Sequence, residues 1–75
     1  MVLSKALKGQ NYIIEKIELK EDVTRRMHTL GLTDGTKISV LNKKRNGPMI
    51  IKVRGTRFAL GKGFLDGIFI REMLG

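Results

Sequence analysis

The chain has no cysteine, no tryptophan, one proline and one histidine in 75 residues. Without thiols there is no disulfide framework and no thiolate metal site, so a reducing compartment is permitted. A structural zinc site generally needs four protein ligands and a catalytic one three. The lone His28 with scattered carboxylates offers at most a weak adventitious site for Fe²⁺ or Zn²⁺. No apolar run approaches the roughly 18 residues of a membrane-spanning helix, and the first residues lack the continuous apolar segment of a signal peptide. The expectation is a soluble, cytoplasmic protein.

Reaction machinery is missing as well. Ser4 and Ser39 have no second histidine or lysine base at a recognisable spacing. Gly61-Lys62-Gly63 invites a phosphate-loop reading, but Gly63 stands where that loop needs Ser or Thr, and Gly55 lies one residue too far upstream. Gly61, Gly63 and Gly67 also miss the dinucleotide-binding spacing by one residue. No catalytic or cofactor-binding residue is assigned, and an enzyme is not expected.

What the chain does have is positive charge. Fifteen Lys and Arg against seven Asp and Glu give a formal charge of +8. That favours polyanions, anionic lipid or an acidic protein surface as a partner. Its length fits one domain, residues 1–75, with a thin core, since a chain this small buries only about 60% of its unfolded surface.

The stretch Met27 to Val40 organises the rest. Val23, Met27 and Leu30 fall at i, i+4 and i+7, one apolar stripe on a helix. Gly31 stands where a left-handed residue ends such a helix, and Leu32 can fold back onto Met27. Asp34-Gly35 then reads as a turn, with the Asp34 side chain bonding the backbone. Ile38 and Val40 alternate with Lys37 and Ser39, so the period has changed from 3.6 to 2.

Elsewhere, Ser4 is placed to cap a single turn holding Leu3 and Leu7 on one side. Tyr12 to Leu19 reads as a strand whose broken alternation implies either two covered faces or a bulge near Glu15. Thr36–Lys43 and Met49–Arg54 form a hairpin with Ile38, Val40, Met49, Ile51 and Val53 inward. Arg57–Leu60 and Ile68–Met73 are further strands, separated by a short turn around Phe64 and Leu65. Phe58 and Phe64 are assigned to the core, and Leu74 and Gly75 are expected to fray. About four or five short strands and one helix indicate a small bent sheet or partial barrel.

Five weak motifs in order carry a resemblance. Leu3-Ser4 with Leu7 and Gly9, Ile14 with Ile17, and Leu30-Gly31-Leu32 with Gly35-Thr36 make the first three. Gly47-Pro48 with Ile51, Val53 and Gly55, then Ala59-Leu60 with Ile68 and Ile70, complete the set. In this order they resemble the bacterial ferrous iron transport protein A (FeoA) family, across nearly the whole chain. The resemblance implies a mainly β, small SH3-like β-barrel with a helix of about two to three turns between the first and second strands. It also implies a non-enzymatic accessory of ferrous iron uptake that works by protein–protein interaction with the FeoB-type GTP-binding membrane transporter. Transition-metal binding comes with the family by association only. Two places depart from the pattern: Asp34 stands where the family favours proline, and Gly61, Gly63 and Gly67 fall where the family tends to carry helix formers.

The partner-binding candidates are Lys43, Lys44 and Arg45 at the hairpin tip, with Arg25 and Arg57 behind them. Leu41, Ile50 and Phe69, all of outward parity, are the candidate apolar anchor. Anionic membrane is a further candidate partner, and an unpaired strand edge leaves self-association open. The alternative is a basic SH3-like nucleic-acid-binding module. Only Tyr12, Phe58, Phe64 and Phe69 are available to stack on bases, which weakens it.

Overall fold

In the computed structural model, which describes residues 1–73, the change of period at Gly31 separates a helix from a sheet. Leu74 and Gly75, expected to fray, lie outside the described residues. The helix, α1 (Glu21–Thr29), opens with Glu21 and Asp22, whose charge suits its N-terminal dipole. Its end is a complete left-handed cap: Gly31 N donates to His28 O at 3.0 Å and Leu32 N to Met27 O at 2.9 Å. Gly31 has φ +98°, which a side chain at that position would resist. Because the cap turns the chain back, Leu32 is fully buried and Leu30 is 43% exposed. The inward stripe is therefore Val23, Met27 and Leu32, not one that ends at Leu30.

Five antiparallel strands follow the order β4-β3-β2-β1-β5, with β1 Asn11–Ile17, β2 Lys37–Lys43, β3 Met49–Val53, β4 Thr56–Leu60 and β5 Ile68–Glu72. The broken alternation in β1 is a bulge: its register against β5 shifts between Ile14 and Lys16, so Tyr12 and Ile14 face inward and Glu15 outward. A second shift between Val40 and Asn42 bends β2 against β3. The two end strands do not pair with each other, so the SH3-like sheet is bent but open. Ile38, Val40, Met49, Ile51 and Val53 are all buried, as the hairpin pattern requires.

The helix-to-strand corner is fastened by threonines rather than by Asp34, which is exposed. The Thr33 and Thr36 hydroxyls lie 2.9 Å apart, and Thr36 N donates to Thr33 O at 3.0 Å. Gly35 N and Ile14 O, 2.7 Å apart, then tie the corner to β1. Nor does Ser4 cap the first turn: it lies inside a 3-10 turn, Leu3–Lys5, capped by Val2 without a side-chain bond. Leu3 is buried beneath that turn while Leu7 is 64% exposed. A short helix, α2 (Lys62–Leu65), forms despite its glycines and buries Leu65; Phe64 is exposed, against the core assignment, and Phe58 is half-buried against the core. No described helix is long and apolar enough to cross a membrane.

Candidate functional site

The hairpin between β2 and β3 turns through Lys44 to Pro48, with Asn46 at φ +59°, a conformation Asn tolerates better than most residues. Beside this tip lies a cleft of about 380 Å³. Met49 and Leu65 form its apolar floor, Lys44, Arg45 and Lys62 its rim, and Ser4 one wall. The wall is fixed by contacts between distant parts of the chain. Ser4 Oγ donates to Asp66 Oδ1 at 2.6 Å, joining the first turn to the end of α2. Lys43 Nζ donates to the Ala6 carbonyl at 3.0 Å, so this lysine holds the N-terminal turn against β2. Lys44 and Arg45 stay exposed and are free of any carboxylate among the described residues.

The other candidates do not converge on this cleft. Arg25 lies on α1, paired with Glu21 at 3.1 Å. Arg57 stands on β4 directly opposite Lys52, and Lys52 is three residues along β3 from Met49, about 10 Å away. Leu41 and Ile50 are half-buried on the neighbouring strands β2 and β3. Phe69 is on β5, separated from them by β1, where Lys16 Nζ sits 4.9 Å from its ring centre. The three apolar residues therefore do not form one patch. Lys62, which the sequence brings to notice only as part of a phosphate-loop reading, joins Lys44 and Arg45 because α2 folds across the hairpin tip.

Whole-chain totals also conceal how the charge is distributed. Between Asp34 and Asp66 there is no acidic residue, while Lys37, Lys43, Lys44, Arg45, Lys52, Arg54, Arg57 and Lys62 all lie there. The remaining Lys and Arg equal the acids in number, so the formal +8 resides entirely in β2, β3, β4, their turns and α2. Both described ion pairs, Lys16–Glu18 and Arg25–Glu21, lie outside that stretch.

His28 is exposed, and no three His, Asp or Glu side chains gather among the described residues, so the donor set does not fit a transition-metal site. Base stacking has only two rings to work with: Tyr12 is 2% exposed and Phe58 packs against the core, which leaves the exposed Phe64 and the half-buried Phe69 beneath Lys16.

A bent, open five-stranded sheet with one helix inserted after its first strand, bearing a cationic cleft, defines a small SH3-like module. The model of the FeoA domain matches residues 1–72, and the chain belongs to the FeoA family, a small transport-related domain rather than a known enzyme family. A protein of Methanocaldococcus jannaschii with the provisional name Fe(2+) transport protein A is 30% identical over 70 residues, covering 93% of this chain and 84% of that one. The crystal structure of an iron uptake regulatory protein (FeoA) is 34% identical, covers 97% of both chains and superposes with a TM-score of 0.89. A FeoA from Stenotrophomonas maltophilia, crystallised with zinc and described as a prokaryotic SH3 domain protein, is 22% identical. It covers 95% of this chain and 89% of its own, with a TM-score of 0.83, and its likeness speaks for the fold alone.

Proposed function

We propose that the protein is a non-enzymatic, cytoplasmic adaptor of ferrous iron uptake, acting as one domain that docks on the cytosolic GTP-binding part of an FeoB-type transporter. Family membership supports the pathway. The observation that carries the docking surface is the cleft at the hairpin tip, whose three rim cations make no ion pair among the described residues, the neighbouring Asp66 carboxylate being bonded to Ser4. An acidic surface that places an apolar side chain over Met49 and Leu65 would satisfy both its charge and its floor. Charge at such a rim mainly raises the rate of encounter and sets orientation. Metal binding forms no part of this reading, because the described residues do not assemble a ligand set.

The test is capture of the transporter's isolated cytosolic domain by the immobilised protein. Lys44→Glu with Arg45→Glu should slow association by about tenfold or more and weaken its salt dependence. Lys43 is left intact, since its bond to Ala6 is structural. Unchanged capture by a folded double variant would remove this surface from the reading.

A further inference from the structure

The outer face of β2, β3 and the β3–β4 turn forms a second cationic surface, separate from the cleft. Lys37, Lys52 and Arg54 surround one shallow depression of about 310 Å³, with Ser39 and Gly55 between them. Arg57 joins them from β4, directly across from Lys52 in the ladder. Adjacent strands lie about 4.8 Å apart, so β2 to β4 spans only about 10 Å. That is close to the Debye length at physiological salt, about 8 Å, so these charges add rather than act singly.

Two positions here run against the demands of the fold. Like charges directly opposite in a ladder destabilise it, and Lys52 faces Arg57. The β3–β4 turn takes positive φ at both central residues, Arg54 (+50°) and Gly55 (+83°), a geometry that favours Asn or Asp before Gly. An arginine at the first of these adds charge at the expense of backbone preference. Local rules broken together at one place, each in favour of the same charge, mark a surface kept for function.

The chemistry of the face narrows its partner. Ser39 Oγ already donates to Asn11 Oδ1 at 2.6 Å, so the polar groups between the cations are occupied within the protein. No aromatic side chain projects from β2 or β3, and Phe58 of β4 packs against the core, so bases find no stacking platform. What remains among the described residues is positive charge without a carboxylate partner, spread over a shallow sheet, its ammonium and guanidinium groups suited to phosphate oxygens. We infer that the outer face of β2–β4 binds the anionic phospholipid headgroups of a membrane surface, orienting the module with its sheet against the bilayer. This goes beyond the cleft-mediated docking proposed above and uses different residues.

Co-sedimentation of the full chain with vesicles tests it. Phosphatidylcholine vesicles containing about one-third phosphatidylglycerol should retain the protein, with affinity falling as salt rises, whereas pure phosphatidylcholine should not. Lys52→Thr and Arg54→Asn should each weaken binding about fivefold. Their melting temperatures should hold or rise, because each change also relieves the fold. Both variants should still capture the transporter domain, so failure here is distinguishable from failure of the cleft. Equal retention on neutral vesicles, undiminished binding by both variants, or displacement from anionic vesicles by duplex RNA at equal phosphate concentration would each overturn the inference, the last in favour of nucleic acid.

Discussion

The chain divides into two regions that follow different rules. In the first, β1, α1 and β5 with their connections, acids and bases balance and both described ion pairs occur. Its turns use residues suited to their geometry, and close approaches of backbone are met by glycine. In the second, residues 35–65, every charged side chain is positive, two of them oppose each other across a ladder, and an arginine sits at positive φ. The core runs through both: Ile14, Ile38, Ile51 and Ile70 are equally buried. The two regions therefore differ in their surfaces, not in how they fold. The balanced region is shaped chiefly by stability, and the cationic one carries side chains that stability alone would not select.

That contrast predicts opposite signs for substitutions in the two regions. The largest effect is expected at Gly67, where β5 begins beside the exit of β1. Glu18 N donates to Gly67 O at 2.6 Å, and a Cβ at Gly67 would come within 2.7 Å of the Glu18 carbonyl oxygen, a backbone atom that cannot swing away. Gly67→Ala should therefore cost about 3 kcal/mol, the upper end of overpacking penalties. For a domain of this size that lowers the melting temperature by about 12–24 °C, measurable by circular dichroism. A loss under about 1 kcal/mol would mean that the β1–β5 junction yields and the balanced region is less tightly specified than its geometry indicates.

At Gly31 the obstacle is conformational rather than steric, since nothing lies within 4 Å of the Cβ position. Gly31→Ala must hold an L-residue at φ +98° or lose the cap, at about 1–2 kcal/mol. Denaturant melts should show the midpoint fall with unchanged slope. Hydrogen exchange should quicken at Leu32, whose amide reaches back to Met27.

How much of this is readable from sequence depends on how local each signal is. Gly31 and Leu32 declare the helix end because the cap is made within a few residues, and the bulge near Glu15 shows as a break in parity. The hairpin's inner face follows from strict alternation. Leu30 departs from its expected place because helical periodicity does not extend into the turn that ends the helix. Thr33 and Thr36 leave no periodic trace, and the Ser4–Asp66 bond joins residues 62 apart in sequence. Lys62 belongs to the cleft only once α2 is folded across the hairpin tip, so its role is a property of the tertiary structure. The acid-free stretch is legible in the sequence itself; summing charge over the whole chain conceals it.

The smallest predicted effect is the sharpest test of the contrast, because its sign is reversed. Lys52→Glu would set a carboxylate directly opposite Arg57, turning a repulsive cross-strand pair into an attractive one. Favourable pairs at such positions contribute about 0.2–1 kcal/mol, so the variant should be slightly more stable than the parent despite lower intrinsic strand preference for Glu. A double-mutant cycle with Arg57→Ala isolates the pair from those background terms. Coupling to Arg57 should favour folding in the Lys52→Glu variant and oppose it in the parent, and both terms should shrink as salt is raised. Coupling of the same sign in variant and parent would mean that the two side chains splay apart in solution. In that case Lys52 and Arg57 would not oppose the fold at all, and the evidence that the cationic region works against its own stability would rest on Arg54 alone.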